Sequence, residues 1–191
     1  MSVSFNKSGI VTASGIEVGA NLIITNSMAP LSGTSGWSLS GNGWVNSNVI
    51  APDTTNGHAI RCTFTGSTGV SGGIHHPTGN TKGDLTDGAT YTLSARIRAS
   101  KACRASFYNE LSTIGNTINL TTEWKIYFYS CPIDNSKTYH SNIIYVPAAD
   151  VTDGMWIECE WIKLELGDKP TPWIPHVSNY GVVPTSHGFA E

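Results

Sequence analysis

Several stretches of the chain alternate between apolar and polar positions with the two-residue period of a β-strand. In YTLSARIRA, the apolar residues from Tyr91 to Ala99 fall on one side, while Arg96 and Arg98 fall on the other with a threonine and a serine. This pattern predicts a half-buried strand with one solvated face. HAIRCTFTG and ACRASFYNE follow the same pattern. Their predicted inward residues are Ile60, Cys62 and Phe64, and Cys103, Ala105 and Phe107.

Other stretches are apolar on both sides and predict strands that are central to a sandwich, or that have one face buried and the other face used for another contact. EWKIYFYSC places Trp124, Ile126 and Phe128 on one face, opposite Tyr127 and Tyr129, and NIIYV is similar. In WIECEWIKLEL, the inward phase set by Ile157 and Cys159 reverses for Ile162, Leu164 and Leu166. A one-residue slip near residues 160–161 keeps all five inward, and we therefore predict a β-bulge there.

Short strands of this kind, separated by turn residues every ten or so positions, predict an all-β fold, an antiparallel β-sandwich. The 20 glycines and a charged content of only 13% agree with many short strands joined by polar turns. We predict a sandwich domain over residues 21–175. An amino-terminal attachment or oligomerisation arm over residues 1–20 and an extended carboxy-terminal arm over residues 176–191 are expected to flank it.

Charge, hydropathy and cysteine spacing narrow the possible roles. The net charge of −3, without a lysine or arginine cluster, argues against a nucleic-acid partner. No stretch approaches the roughly 18 apolar residues that a membrane span needs, and the first residues lack the layout of a secretory signal, so we expect synthesis in a cytosol. The four cysteines have no C-x-x-C spacing, and we expect them to be buried free thiols.

Three segments resemble, in the same order, the carbohydrate-binding-module-like jelly-roll domains of bacteriophage virion proteins. NLIITNSMAPLSGTSGWSLSGNGW is similar to the family's entry segment, and LTDGATYTLSARIRAS to its internal strand. KLELGDKPTPWIP resembles its closing segment, in which a last strand ends at a glycine before a T-x-W-x-P tail. Gly167 would let the chain leave the sheet, the prolines would hold it extended, and Trp173 would fold back to cover the sandwich edge.

The resemblance implies a structural virion protein, either a head decoration or fibre protein or a tail component, made in the cytoplasm of the bacterial host. Its expected partners are other capsid or tail proteins, further copies in a homo-oligomer, most simply a trimer, and host-surface glycans. The alternatives are a glycan-binding module that acts as a receptor-binding adhesin, and an appended module of a polysaccharide-degrading system. No membrane partner is expected.

Six residues are candidate glycan contacts, because sugars stack on aromatic rings and exchange hydrogen bonds with polar side chains. Tyr127 and Tyr129 would be exposed on a concave sheet face. The other four would line a cleft at the loop end. They are Tyr108, Asn109, Trp37 and Trp44. For any one ring, burial in the core is the competing interpretation, and Trp156 and Trp173 are assigned to structure.

Three groups of ionisable residues are weighed as catalytic or metal sites and set aside. His75 and His76 are strand neighbours that point to opposite faces, so one metal ion cannot easily take both. Glu158 and Glu160 share a strand face beside no evident cleft, so they are expected to be solvated rather than catalytic, and the protein is not expected to be an enzyme. Relatives often carry a structural calcium ion, but the candidate ligands lie in no spaced loop motif, and no cofactor is assigned. They are Asp84, Asp87, Asp153 and Asp168.

Overall fold

A computed structural model gives the protein's architecture, and the description below is confined to part of the chain. The structure describes residues 4–5, 10–13, 16–19, 21–23, 28–66, 69–77, 85–112, 114–137 and 141–174. Side chains are described from residue 21 onward. No helix in this part of the chain is long and apolar enough to cross a membrane.

Residues 1–20, the predicted amino-terminal arm, contain a three-stranded antiparallel sheet. Its strands are β1 (Ser4–Phe5), β2 (Ile10–Ala13) and β3 (Ile16–Gly19), in that order. Val11 pairs with Phe5 on one side and with Val18 on the other. The attachment role of this arm remains a prediction, and the carboxy-terminal arm over residues 176–191 lies outside the described residues.

The remaining strands form two five-stranded antiparallel sheets, which confirms the predicted all-β sandwich. Sheet I has the order β11-β8-β13-β6-β5, and sheet II the order β10-β9-β12-β7-β4. The strands of sheet I are β5 (Trp44–Ile50), β6 (His58–Phe64), β8 (Thr90–Ala99), β11 (Lys125–Pro132) and β13 (Trp156–Leu166). The strands of sheet II are β4 (Ser38–Ser40), β7 (Gly72–Pro77), β9 (Cys103–Asn109), β10 (Thr117–Leu120) and β12 (Ser141–Val146), with a 3-10 turn at Ala148–Asp150.

The core lies between the two sheets and contains the side chains that the alternation predicts to face inward. Leu93, Ala95 and Ile97 of β8 are fully or almost fully buried, as are Phe64 of β6 and Phe107 of β9. All four cysteines are buried free thiols, as predicted. Burial raises the pKa of the Cys62 thiol to about 12, so this thiol stays protonated at neutral pH.

Strand β13 contains the predicted bulge, and the bulge keeps its apolar side chains in the core. The register of β13 against β8 shifts between Cys159 and Trp161. Ile157 and Cys159 before the shift, and Ile162 and Leu164 after it, are all buried in the core. Leu166, at the end of the strand, is half-exposed.

The segment that enters the sandwich runs beside the second half of β13, where β6 no longer pairs with it. The backbone N–H of Leu22 donates to the carbonyl of Leu164 at 2.8 Å. The backbone N–H of Ala29 donates to the backbone carbonyl of Glu160, also at 2.8 Å. The buried Asn21 side chain donates to the carbonyl of Ile162 and accepts from the N–H of Leu164. β13 therefore has a hydrogen-bonded neighbour on both sides along most of its length.

The chain after β13 folds back onto the sandwich, as the closing segment predicts, and lies over the outer face of sheet I. Lys163 is fully buried there, and its Nζ lies 2.6 Å from Thr171 Oγ1, 3.0 Å from the carbonyl of Pro172 and 3.0 Å from Glu165 Oε2. Trp173 stacks on Trp161 with ring centroids 5.8 Å apart. Trp173 thus covers the outer face of β13, whereas the sequence predicts cover for the sandwich edge.

The expectation that β8 has a solvated face is wrong for the part of the strand that this tail covers. Thr92 and Ser94 point outward from the core but are buried. The Thr92 hydroxyl donates to the carbonyl of Gly167, and the Ser130 hydroxyl donates to that of Asp168. Small hydroxyl side chains in these positions leave room for an extended chain to cross the sheet and satisfy two of its carbonyls.

The other half of this outer face contains a buried network of ion pairs, and the expectation that Glu158 and Glu160 are solvated is wrong. Glu158 is fully buried and accepts from Arg61 at 2.5 Å and from Arg98 at 2.6 Å. Glu160, also fully buried, pairs with Arg96 and accepts from the N–H of Thr55. Because these strands place arginines beside the glutamates, each carboxylate is neutralised within the sheet face.

Two indoles cover the arginines of this network. The Arg61 guanidinium lies 4.3 Å from the centre of the Trp156 ring, and that of Arg98 lies 4.6 Å from the centre of the Trp124 ring. Cation–π contacts of this kind gain strength when water is kept away from the cation. The assignment of Trp156 to structure therefore agrees with its position.

Glu158→Gln is expected to lower the free energy of unfolding by about 3 kcal/mol, because Arg61 and Arg98 lose their shared anion in a buried site. Urea denaturation followed by tryptophan fluorescence measures the change. The control is Asp150→Asn, which removes a carboxylate from the more exposed pair with Arg104 and is expected to have a much smaller effect. Equal losses in the two variants would contradict the assignment of the network as a stabilising feature.

Candidate functional site

Five of the six predicted glycan contacts face the core side of the sandwich. Trp37 packs edge-on against His76 with ring centroids 4.5 Å apart, and Trp44 packs against Phe64 at 5.4 Å. Both indoles are buried in the core. Asn109 is buried and donates to Asn142 Oδ1 at 2.9 Å, while its own Oδ1 accepts from the N–H of Leu111. The loop-end cleft expected around these residues does not form from them.

Tyr127 and Tyr129 are not exposed on a concave sheet face, contrary to the expectation from the sequence. Tyr127 pairs with Ala95, a core residue of β8, so both tyrosines of β11 point toward the inner side of sheet I and pack half-buried against the core. Their hydroxyls donate to the carbonyls of Asn119, at 3.0 Å, and Ile114. The two rings span the gap between the sheets at the β11 edge. A role in ligand binding for them remains a prediction without support from this geometry.

Tyr108 alone of the six lies on an outer face, that of sheet II, beside residues that the sequence analysis does not select. In the register of β12 with β9, Ile143 pairs with Tyr108 and Tyr145 pairs with Ser106. Tyr145 and Tyr108 are therefore diagonal neighbours on the same face, close enough for their rings to interact. We define the tyrosine face as the outward residues of β4, β7, β9 and β12 around this pair. They are Ser38, Ser40, His75, Ser106, Tyr108, Ile143 and Tyr145.

Small residues surround Tyr145 and leave a groove that crosses the strands. Tyr145 pairs with Ser106 on one side and with Gly73 on the other, and Gly73 pairs in turn with Ser40. This row therefore contains one large side chain and three small ones. The next row contains three larger residues, Tyr108, Ile143 and His75, and ends at the small Ser38. Because the rows run perpendicular to the strands, the groove does as well.

Gly73 cannot be replaced by a larger residue without moving the strands. A Cβ atom at this position would lie 2.2 Å from the carbonyl oxygen of Ile144 and 3.1 Å from Cδ1 of Ile157. The close approach of β7 to β12 thus requires glycine.

Ionisable groups lie at one end of the tyrosine face. His75 Nε2 lies 3.9 Å from Glu110 Oε2, and the same carboxylate oxygen accepts from the N–H of Ser141 at 3.0 Å. Burial raises the pKa of Tyr108, and the nearby Glu110 and Tyr145 raise it further. The Tyr108 hydroxyl therefore stays protonated at neutral pH and remains a hydrogen-bond donor.

A second ion pair lies toward the β10 end of sheet II. Arg104 donates to both carboxylate oxygens of Asp150, from Nη2 at 2.8 Å and from Nε at 3.0 Å. Its guanidinium lowers the pKa of Asp150 to about 2. The cation and the anion balance each other, so this pair contributes no net charge to the face.

The two histidines point to opposite faces, as the sequence indicates, and share no metal site. His76 is buried against Trp37, whereas His75 faces outward. No group of three or more histidine, cysteine, aspartate or glutamate side chains could hold a metal ion in the described part of the chain. Asp87, Asp153 and Asp168 belong to no such group, and Asp84 lies outside the described residues.

Tyr145 is the residue that the sequence analysis misses. It lies in NIIYV, where every neighbour is apolar and nothing in the alternation separates the outward tyrosine from the inward isoleucine and valine. The glycine pair at 72–73 is the signal that could have found it. A glycine within a strand often marks a place where another group approaches closely.

Solved structures with the same architecture include sugar-binding and phage proteins. The bacteriophage CBA120 tailspike protein 4 is 15% identical with a TM-score of 0.53, and the match covers 77% of this chain and 21% of that one. An arabinose-bound α-L-arabinofuranosidase is 14% identical with a TM-score of 0.57 over 84% of this chain and 27% of that one. The CBM22-1 xylan-binding domain of Paenibacillus barcinonensis Xyn10C is 9% identical with a TM-score of 0.54 over 80% of this chain and 97% of that one.

These likenesses define the fold as the jelly-roll β-sandwich of carbohydrate-binding modules, as the sequence resemblance implies. The chain corresponds to about a quarter of the length of the tailspike and of the arabinofuranosidase, but to nearly all of the xylan-binding domain. No family model matches the sequence, and no curated protein matches it. At these identities the comparisons establish the fold alone.

Gly73→Ala is expected to lower the free energy of unfolding by about 2 kcal/mol, because the added methyl group overlaps the carbonyl of Ile144. Thermal or urea denaturation measures the change. Gly115→Ala is the control, since a Cβ atom there would meet no heavy atom within 4 Å, and its stability is expected to stay the same or rise slightly. A Gly73→Ala variant as stable as Gly115→Ala would show that β7 and β12 are not held this closely.

Proposed function

We propose that this protein is a non-catalytic glycan-binding domain and that the tyrosine face is its binding surface. The observation that carries the proposal is the outward pair of Tyr108 and Tyr145, with small residues in the cross-strand row of Tyr145. A pyranose ring stacks its C–H groups on an aromatic ring, and its hydroxyls then bond to neighbouring serine, histidine and tyrosine groups. The fold shared with carbohydrate-binding modules supports this assignment.

A neutral oligosaccharide fits this face better than an acidic one. The arginine nearest to the tyrosine pair along β9, Arg104, is engaged by both oxygens of Asp150, and the carboxylate beside the tyrosines, Glu110, would repel a uronate or sulfate group. The groove crosses the strands, so several sugar units in a row would lie along Ser106, Tyr145, Gly73 and Ser40. Each unit could then use the small hydroxyl side chains that border the row.

Binding without cleavage agrees with the positions of the acidic residues. Glycoside hydrolysis needs two carboxyl groups on either side of the scissile bond, one of them protonated. The two neighbouring glutamates of β13 are locked in ion pairs on sheet I, away from the tyrosine face. On the tyrosine face itself, Glu110 is engaged by a backbone N–H and lies near His75.

An array of neutral oligosaccharides and bacterial surface polysaccharides tests the proposed function. Wild-type protein is expected to bind at least one neutral glycan, and Tyr145→Ala and Tyr108→Ala are each expected to weaken that binding about tenfold, a loss of about 1.4 kcal/mol. Tyr127→Ala is the matched control, since its ring faces the core side of sheet I, and it should bind as wild type does. Binding that survives both outward substitutions but fails in Tyr127→Ala would overturn the assignment, as would the absence of any bound glycan.

A second proposal places this domain in a bacteriophage particle, as a tail or head component that meets the host surface. The three sequence motifs that resemble phage virion domains support it, and so does the likeness to a phage tailspike. A glycan-binding domain on a phage particle would attach the particle to its host. The protein would then be both a structural virion protein and a receptor-binding adhesin. The partners would be capsid or tail proteins and further copies of this chain. The expected trimer rests on arms whose side chains are not described and remains a prediction.

Antibody labelling of purified phage particles in the electron microscope tests the virion assignment. Gold label is expected at one defined location, the head or the tail, with the particle otherwise intact. Binding of the antibody to the isolated protein serves as the positive control. Particles that carry no label while the host lysate does would contradict a virion role and leave the glycan-binding proposal untouched.

A further inference from the structure

The edges of the two sheets differ in how they are protected. An edge strand presents unpaired N–H and C=O groups that can pair with another strand, and proteins usually block this with short strands, charges or covering segments. In sheet II the edge strands β4 and β10 have only 3 and 4 residues. In sheet I the edge strands β5 and β11 have 7 and 8 residues.

β5 is covered by the segment that precedes it. Asn48 Nδ2 donates to the carbonyl of Pro30 at 2.5 Å and to that of Gly33 at 3.0 Å, and Asn46 Nδ2 donates to the carbonyl of Trp37. These bonds hold residues 30–37 alongside the strand. They leave little room for an added strand at this edge.

β11 has no such cover among the described residues. There it pairs with β8 alone, at all eight of its positions. Its inward tyrosines bond to carbonyls of the segment around β10 and so hold the edge strand to the other sheet. The result is a long edge fixed from inside, with a row of backbone groups left for a further strand.

The side chains at this edge are apolar rather than charged. Ile126 and Phe128 point outward and are 59% and 55% exposed, and Ile114, beside Tyr129, is 60% exposed. Lys125, at the start of the strand, is its only charged residue. Ile126 and Phe128 are two of the eight exposed large hydrophobic residues of the described chain, and both lie on this edge strand.

We propose that β11 pairs with β11 of a second copy of this chain, antiparallel about a two-fold axis. The occupant must be an extended strand, because only a strand satisfies a row of alternating N–H and C=O groups. A two-fold axis brings the same strand to itself, so the apolar side chains of one copy meet those of the other. Sheet I of one copy and sheet I of the other then form one continuous sheet.

Charge and side-chain size both favour this antiparallel register. A parallel arrangement places the two Lys125 side chains together, whereas the antiparallel one puts them at opposite ends, about 20 Å apart at about 3.4 Å per residue in a register centred on Phe128. A register centred on Phe128 sets the two Phe128 rings opposite each other and each Tyr127 opposite a Tyr129. Aromatic cross-strand pairs of this kind stabilise a sheet.

Light scattering coupled to gel filtration, over a range of concentrations, tests this interface on the full chain. Wild-type protein is expected to shift from monomer to dimer as concentration rises. Phe128→Lys places two ammonium groups opposite each other and is expected to stay monomeric throughout. Val45→Lys, at a residue of β5 that is 51% exposed, adds the same charge on the same sheet and should dimerise as wild type does.

Amide hydrogen exchange of residues 125–132 supplies the independent readout, and it also reports that the variants are folded. In wild type, protection of β11 is expected to rise with concentration, while Phe128→Lys should show fast exchange there and normal protection in β8. A monomer whose β11 is protected at every concentration would overturn the proposal, because another segment of the same chain would then cover the edge. An oligomer unaffected by Phe128→Lys would overturn it too.

Discussion

The one-residue slip in β13 is the constraint on which the rest of the sandwich depends. Without the extra residue at Glu160, Ile162 and Leu164 would point away from the core, and Trp161 and Lys163 would point into it. The bulge also divides the outer face of sheet I at one place. Before it, glutamates meet the arginines of β6 and β8, and after it an indole and a lysine receive the returning tail. One local irregularity thus allows a single strand to be buried on both faces.

The two outer faces of the sandwich consequently have different roles. On sheet I, ion pairs, indoles and the tail occupy the face around β13, and the charged groups of β13 there are already paired within the chain. On sheet II, Tyr108 and Tyr145 remain partly open beside Gly73, with hydroxyl side chains around them. A face whose polar groups already bond to one another has few free donors and acceptors for a sugar. The open face is where a ligand can gain new hydrogen bonds.

The sequence predicts those features of the fold that follow from period and phase. The alternation in β6, β8 and β9 identifies their inward residues, and the phase reversal in β13 locates the bulge. Prediction from the sequence fails where both faces of a strand are apolar, because the pattern alone cannot tell which side of β11 or β12 meets the core. Tyr127 was therefore assigned to the wrong face and Tyr145 was overlooked. Burial of Glu158 and Glu160 depends on arginines about 60 to 100 residues away in the chain, which a local pattern does not reveal.

The fold-back of the tail has a mechanical consequence for a domain attached to something through its carboxy-terminal end. A pulling force at that end acts first on the stacked rings of Trp173 and Trp161, and next on the bonds from Lys163 to Thr171 and Pro172. These contacts can break one after another, starting with those nearest the pulled end. Because they join the tail to side chains of β13 itself, they must break before a pull at that end can peel β13 from the sheet. The tail therefore adds a set of noncovalent contacts that protect the end of β13 against traction.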